Sequence, residues 1–351
     1  TVALVSVISG IFLLFLGLVV ARPILTLMDT PNSVLDMAVD YLRIYFLGMP
    51  ALALYNFGNA VLSASGDTKR PLYYLSFAGV LNVLLNLFFV IVCKMGVAGV
   101  AIASILSQYL SAVLILRVLF KSSAAFGLRL RELRITPDKA GRILKIGIPS
   151  AFQYALFAIA NLFVQTGVNS FDHVMVEGNS AAANADPLVY DMMAAFYTAC
   201  SSFIAQNYGA KKSDRILKSY LICLLYSFVV GLVLGVGLYL LRYPFLSLFT
   251  SDTTVVDAGI KRLSIMALSY SVSAFMDCTI AASRGLGKSI VPTIVVIMGS
   301  CVFRILWIYT IFAHFRTIQS LYLLYVFSWT ITAIAEIIYF VIVYRKVRPQ
   351  A

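Results

Sequence analysis

The stretch Ser63 to Pro71, SASGDTKRP, closes one apolar segment and opens the next with a glycine, two cations and a proline. The stretch Arg284 to Pro292, RGLGKSIVP, has a similar arrangement at an offset of 221 residues. Gly287 corresponds to Gly66, and the final prolines also coincide. Glycine permits the turn between the two segments, and proline is well tolerated at the start of a helix. Both stretches therefore predict a tight turn between two helices.

The register between these stretches extends back to residue 21 without a gap, and residues 21 to 71 have twelve identities with their counterparts. They are Pro23/Pro244, Leu25/Leu246, Leu27/Leu248, Val34/Val255, Asp36/Asp257, Leu42/Leu263, Ile44/Ile265, Leu47/Leu268, Ala53/Ala274, Ala60/Ala281, Gly66/Gly287 and Pro71/Pro292. The chain therefore contains an internal repeat.

Composition places the protein in the membrane. Of its 351 residues, 61% are apolar and 12% are charged, against about 25% charged in an ordinary soluble domain. Ten segments are long enough to cross a hydrocarbon core about 30 Å thick: 2–21, 42–64, 72–93, 96–119, 146–171, 187–208, 219–241, 262–282, 289–313 and 320–344. Because these segments are continuously apolar and do not alternate, they predict helices and not a barrel.

The repeat predicts how these helices are grouped. The first span corresponds to the seventh, so the repeating unit has six spans, and two units with an even number of spans are related by a parallel pseudo-twofold axis. We predict an all-α integral membrane protein with three parts: an N-lobe at 1–119, a basic cytoplasmic linker at 120–142 and a C-lobe at 143–351. The N-lobe has only four of its six helices, so we expect two more helices before Thr1.

The net charge of +12 reflects topology and does not indicate a nucleic-acid partner. When alternate loops are assigned to one side, 19 of the 27 cations fall together, including eight from Arg117 to Lys145 and the C-terminal Arg348. The positive-inside rule makes this side cytoplasmic. We expect a multi-pass protein of the cell membrane, with both ends of this chain in the cytoplasm. The linker either lies on the anionic inner leaflet or carries only the ordinary positive-inside charge.

Cysteine and histidine indicate neither a disulfide framework nor a metal or cofactor site. The five cysteines are widely spaced in or beside spans, and the two histidines, His173 and His314, lie in separate predicted outer loops. The segment Asp172 to Asp191 carries four acids and an alanine run. We expect a mobile acidic outer loop, which either attracts cations to an outer vestibule or is simply solvated.

Four motifs in order resemble the multidrug and toxic compound extrusion (MATE) family: SASGDTKRP, IGIPSA at 146–151, AQNYGAKK at 205–212 and RGLGKSIVP. The resemblance covers essentially the whole chain. It implies twelve helices in two six-helix lobes around a central cleft. It also implies export of cationic or amphipathic compounds, driven by inward movement of protons or sodium. The carboxylate of the proton-coupled branch lies in the family's first helix, which is outside this chain.

Three ionisable residues lie well inside predicted spans: Asp277, Arg304 and Glu336. Such residues are costly in a membrane and mark functional sites. We expect Glu336 to pair with Arg304, and Asp277 to exchange protons or contact substrate. In the alternative, Arg304 pairs with either acid as an interhelical tie, and neither acid titrates. In the family's sodium-coupled branch, the corresponding acid lies further upstream, at a position near Ser273. Asp277 therefore does not match the family's position for this acid.

Uncharged polar residues form a second candidate set: Gln153, Asn161, Asn56 and Asn82. In a cleft they would orient a substrate by hydrogen bonds, whereas in a packed bundle they would bind neighbouring helices. Tyr41, Tyr45, Tyr154, Tyr197 and Phe157 are candidates for offering π faces to an organic cation.

The leading function is a monomeric secondary exporter whose partners are a small-molecule substrate, a coupling proton or sodium ion, and membrane lipids. A lipid-linked oligosaccharide flippase of the same superfamily should have more spans and several cations in its cavity, whereas Arg304 is the one cation well inside a predicted span. An integral membrane enzyme would need His, Asp or Glu clustered at one interface.

Overall fold

The computed structural model describes residues 1–27, 32–124 and 126–347, and its regular structure is helical throughout these ranges. Arg348, one of the cations assigned to the cytoplasmic side, lies outside the described residues. The chain divides into two compact units, Thr1–Ile143 and Leu144–Ala351.

Five helices lie wholly within the described part of the first unit. They are α1 (Val2–Leu27), α2 (Asn32–Phe46), α3 (Met49–Ala64), α4 (Lys69–Leu87) and α5 (Gly96–Lys121). The pair α2 and α3 is bent by 41° at a short break, and α4 continues into a π-helical turn at Phe88–Val92. Helix α3 packs against α1 and α5, while α4 packs against α5. A single 3-10 turn, Leu130–Glu132, interrupts the segment after α5.

Ten helices follow. They are α6 (Pro137–Asn169), α7 (His173–Ala183), α8 (Ala185–Gly209), α9 (Ser213–Leu240), α10 (Arg242–Ser247), α11 (Thr253–Gly285), α12 (Ile290–Val296), α13 (Phe303–Trp307), α14 (Ala313–Phe315) and α15 (Ile318–Val347). Helix α6 begins in the first unit and continues into the second. The π-helical turns Ile297–Val302 and Ile308–Phe312 join α12, α13 and α14 into one continuous rod.

Each predicted span overlaps one of these helices, α4 with its π-helical turn, the bent pair α2–α3 or the rod from α12 to α14, and the span ends overrun the helix ends by at most two residues. In the described part of the chain, nine helices are long and apolar enough to cross a membrane, and the count is ten when the bent pair α2–α3 is taken as one span. The span predicted at 146–171 corresponds to α6, which begins nine residues earlier, at Pro137, and ends at Asn169. The prediction missed this earlier start because the first two turns of α6 are polar and carry Lys139 and Arg142.

Helix α11 is the centre of the second unit and packs against α7, α8, α9 and α15. Small side chains along α11, including Ala267, Ser271 and Ala274, allow this close packing. At the crossing with α9, a Cβ on Gly235 would overlap the carbonyl oxygen of Ala267. The backbones of α9 and α11 therefore touch here, and only glycine fits at position 235.

The turns at Gly66 and Gly287 have the same hydrogen-bond pattern. In the first, the backbone N–H groups of Gly66 and Asp67 donate to the carbonyls of Ser63 and Leu62 at 3.0 Å and 2.9 Å. In the second, the corresponding N–H groups, of Gly287 and Lys288, donate to Arg284 and Ser283 at 2.8 Å and 3.0 Å.

Both turns are Schellman motifs, which place a left-handed residue after the helix. The φ angles of Gly66 and Gly287 are 92° and 73°. This shared geometry supports the proposed repeat.

The expectation of a mobile outer loop at Asp172 to Asp191 is wrong, because the segment forms α7 and the start of α8. The side chain of Asp172 caps α7 by accepting a hydrogen bond from the N–H of Met175 at 2.9 Å. Alanine has the highest helix propensity, which favours helix through the run at 181–183. Met175 and Ala182 are buried, so α7 is part of the packed unit.

Candidate functional site

A cavity of 460 Å³ lies within the second unit, between α6, α8, α11, α13 and α15. Four ionisable side chains line it: Asp186, Asp277, Arg284 and Arg304. Six aromatic side chains complete much of the wall: Tyr154, Phe157, Tyr190, Tyr197, Tyr325 and Trp329. A cavity that combines aromatic walls with a few polar groups is typical of a small-molecule site.

Helix α6 contributes one of its faces to the cavity. Gln153, Phe157 and Asn161 recur at intervals of four residues, which places them on the same side of a helix. Two of the polar residues predicted for a cleft, Gln153 and Asn161, therefore line this cavity. Tyr154, Tyr197 and Phe157, predicted to offer aromatic faces, line it as well.

Arg304 on α13 is held by neutral partners. Its side chain is buried, with 1% of the residue exposed. Nη1 donates to Oδ1 of Asn161 at 2.8 Å, and Nε donates to Oγ of Ser328 at 3.4 Å. The guanidinium carbon also lies 5.0 Å from the ring centroid of Phe157 and 4.7 Å from that of Tyr325.

The expected pairing of Arg304 with Glu336 is wrong, as is its alternative pairing with Asp277. Within the described residues, no carboxylate lies within 4.0 Å of the Arg304 guanidinium. Ser328, which contacts Arg304, lies eight residues before Glu336 on α15, or roughly 12 Å along the helix axis. Glu336 is fully buried outside the cavity lining, and neither of its oxygens has a hydrogen-bond partner.

Asp277 and Arg284 reach the cavity from the same face of α11. They are seven residues apart, which is two helical turns. Nη2 of Arg284 donates to Oε1 of Gln153 at 2.9 Å and so connects α11 to α6.

Asp186 on α8 reaches the cavity with its charge already compensated. Nη2 of Arg262 donates to Oδ2 of Asp186 at 2.6 Å, and the hydroxyl of Tyr270 donates to Oδ1. Arg262 also donates to the carbonyl of Asn179 at 3.2 Å. This network connects α7, α8 and α11, and it is the one ion pair in the described residues whose arginine is buried.

The two remaining candidates, Asn56 and Asn82, belong to the first unit and are not among the residues that line this cavity. Asn56 is exposed on α3. Oδ1 of Asn82 on α4 accepts a hydrogen bond from Asn86 at 3.0 Å, and the amide of Asn82 donates to Ser104 at 3.5 Å. Asn82 therefore makes a contact between α4 and α5.

Sequence reasoning missed Asp186, Arg284, Tyr190, Tyr325 and Trp329. Arg284 was assigned to a cytoplasmic turn, and Asp186 to a loop. The spacing in the sequence could have identified both residues. Asp186 and Tyr190 are four residues apart, and Asp277 and Arg284 are seven apart. Each pair therefore shares a helix face.

The family model for MatE matches residues 1–88 and 149–310. The chain belongs to the MatE family. The matched residues include both turns described above and every cavity residue contributed by α8, α11 and α13. The match does not reach α15, which supplies Tyr325 and Trp329.

Curated relatives of this MatE chain include two proteins of Bacillus subtilis. The probable multidrug resistance protein YpnP is 33% identical over 202 residues, which are 57% of this chain and 44% of the relative. The probable multidrug resistance protein YoeA is 26% identical over 298 residues, which are 83% of this chain and 64% of the relative. The matched regions thus cover less than two thirds of either relative.

A solved structure confirms the fold of this MatE chain. An outward-facing conformation of a multidrug resistance MATE family transporter superposes with a TM-score of 0.92 at 21% sequence identity. The superposition covers 99% of this chain and 78% of that one. The protein is therefore a multi-pass membrane protein with the fold of a MATE transporter.

Proposed function

We propose that this chain forms the greater part of a secondary active transporter that exports amphipathic small molecules by antiport with protons or sodium. Membership of the MatE family and the relatives named for multidrug resistance support export. One observation in the structure carries the proposal: a 460 Å³ cavity lined by ionisable and aromatic side chains lies among helices apolar enough to cross a membrane. Charged groups are energetically costly in a membrane, so their presence there indicates a functional site.

Alternating access between an N-lobe and a C-lobe is the mechanism we propose for this transport. The lobes at 1–119 and 143–351, the linker at 120–142 and the parallel repeat are part of the proposal. It is supported by the division of the chain after Ile143 and by the matching turns at Gly66 and Gly287. We propose that the transporter works as a monomer in the cell membrane, with both ends of this chain in the cytoplasm.

Asp277 is the coupling acid in this proposal. It lines the cavity and forms no salt bridge among the described residues, so its charge is available to a proton, a sodium ion or a substrate. Arg304, Gln153 and Asn161 position the substrate. Asn56 and Asn82 stay proposed as polar contributions of the N-lobe. Glu336, which is buried on α15, stays proposed as a second coupling acid.

A lipid-linked oligosaccharide flippase is the second candidate function. That function requires several cations in the cavity, and the cavity has both Arg284 and Arg304 on its wall. The vesicle experiment addresses the leading function, because an antiporter stops accumulating a soluble dye when both gradients collapse.

The deciding experiment is uptake into inside-out vesicles that contain the full-length protein. A fluorescent organic cation and a fluorescent organic anion are each offered with an imposed proton gradient, a sodium gradient, or neither. We expect one gradient to drive accumulation of at least one of the two dyes, and an ionophore that dissipates this gradient to abolish it. If neither gradient drives accumulation of either dye, the antiporter proposal is wrong.

A further inference from the structure

We propose that the cavity of the second unit binds a small organic anion, with its acidic group on Arg304 and its ring system against Tyr190 and Trp329. The inference rests on the proposed transport function, because it names the chemical class of the substrate. The family resemblance led us to expect cationic substrates, and three features of the cavity favour the opposite charge.

The first feature is the missing counter-ion of Arg304. Its guanidinium is almost completely buried, yet both of its hydrogen-bond acceptors, Asn161 and Ser328, are neutral. In the described part of the chain, no carboxylate lies within 4.0 Å of this guanidinium. A buried charge without a partner is costly. A carboxylate or phosphate of a ligand would supply both the missing charge and an acceptor for two N–H groups.

The second feature is that the Arg304 guanidinium already occupies aromatic faces that an organic cation would use. Cations bind over aromatic faces within about 6 Å of the ring centroid. The guanidinium of Arg304 lies 5.0 Å from the centroid of Phe157 and 4.7 Å from that of Tyr325. A cationic ligand that used these faces would have to displace Arg304 or stay beside a like charge at short range, where repulsion is strong.

The third feature is the balance of the other charges on the wall. Asp186 is neutralised by Arg262 and hydrogen-bonded to Tyr270, so it has little charge to offer a ligand. Arg284 adds a second guanidinium whose hydrogen-bond acceptor, Gln153, is neutral. Two guanidinium groups therefore share the cavity with one carboxylate outside any salt bridge, Asp277. An anion lowers the net charge of the cavity, and a cation raises it.

The space suits a ligand with one or two rings, because sites for drug-sized molecules have volumes of about 300–1,000 Å³. Trp329 and Tyr190 present perpendicular rings with centroids 6.1 Å apart. These rings do not contact the guanidinium of Arg304 in the way that Phe157 and Tyr325 do, so they are available to the ring system of the ligand.

Equilibrium binding of two labelled probes tests the charge preference directly. The probes are 2-naphthoate and 2-naphthylmethylammonium, which share the same rings and carry opposite charges. Binding is measured with the purified full-length protein in nanodiscs of zwitterionic phosphatidylcholine, which attract neither probe by net charge. We expect the protein to bind 2-naphthoate at least about tenfold more tightly, in keeping with a charge-assisted hydrogen bond. Equal affinities, or tighter binding of the ammonium probe, would overturn the inference.

Three variants locate the charge that is responsible. Arg304→Gln keeps donors but removes the charge, Arg304→Lys keeps the charge, and Arg316→Gln removes an exposed arginine outside the cavity. We expect Arg304→Gln to weaken 2-naphthoate binding about tenfold and to strengthen ammonium binding. Arg304→Lys should keep the preference for the anion, and Arg316→Gln should match the wild type. Unchanged naphthoate affinity in a folded Arg304→Gln variant contradicts the inference.

The wild-type comparison of the two probes needs no variant, so it decides the question even if Arg304→Gln fails to fold. The binding and uptake measurements also distinguish failure of the anion inference from failure of the transport proposal. If vesicles accumulate only the fluorescent cation, the transport proposal stands and the anion inference is wrong. If the protein prefers 2-naphthoate but no gradient drives uptake of any dye, the anion site stands and the transport proposal is wrong.

Discussion

Asp186 and Arg262 form a largely buried ion pair between α8 and α11, with Oδ2 and Nη2 2.6 Å apart. The two residues are separated by 76 positions in the chain, and Tyr270 adds a hydrogen bond to the same carboxylate. Because Asp186 is paired with Arg262, its charge is not available to a substrate or coupling ion. Asp277 is therefore the free carboxylate of the cavity within the described structure.

Asp186→Asn should destabilise the protein by about 3 kcal/mol, because it leaves the Arg262 charge buried without a partner. The double variant Asp186→Asn with Arg262→Gln should recover part of this loss, since no unpaired charge remains. Equilibrium unfolding in mixed micelles of dodecyl maltoside and dodecyl sulfate measures both. Equal stability of Asp186→Asn and the wild type would show that the pair is not a structural tie.

Glu336→Gln should leave stability within about 1 kcal/mol of the wild type, because neither carboxylate oxygen has a hydrogen-bond partner to lose. The glutamine has almost the same volume, so no cavity forms. The same unfolding assay applies, and Asp186→Asn is the matched comparison because it also replaces an acid by its amide. A large loss of stability in Glu336→Gln would mean that the carboxylate has a partner in the membrane.

Asp277→Asn should abolish gradient-driven transport while the protein still folds and binds substrate, because the amide cannot exchange a proton or neutralise a sodium ion. Vesicle uptake and substrate binding are measured side by side. Asp257→Asn is the control, since Asp257 lies on the same helix, is exposed, and does not line the cavity. Wild-type uptake by Asp277→Asn would remove Asp277 from the mechanism.

Gly287→Ala should destabilise the protein by roughly 1 kcal/mol, because its φ of 73° is unfavourable for any residue with a Cβ. No atom lies within 4 Å of the position of that Cβ, so the cost comes from the backbone alone. Gly237→Ala is the matched control: its Cβ also meets nothing within 4 Å, but Gly237 lies inside α9. That substitution should stabilise the protein by about 0.5–1 kcal/mol. If both substitutions changed the free energy of unfolding in the same direction, the proposed role of the turn would be contradicted.

Local features of the chain were predictable because their causes are local. The lengths of the apolar segments predicted where the helices lie, and the Gly and Pro of SASGDTKRP and RGLGKSIVP predicted two turns of the same geometry. The acidic segment at 172–191 was misinterpreted as a loop, because four acids outweighed the helix propensity of the alanine run. In the structure, Asp172 acts as a helix cap and Asp186 as a buried partner of Arg262.

The sequence by itself determined that this is a helical membrane protein with a repeated turn. It also predicted four of the residues that line the cavity: Gln153, Asn161, Asp277 and Arg304. Only the tertiary structure decided which charges meet. Arg304 binds Asn161, 143 residues away, and not Glu336. Such pairings depend on how each helix is rotated about its axis. In a membrane protein, both the lipid-facing and the buried sides of a helix are apolar, so the sequence pattern does not reveal that rotation.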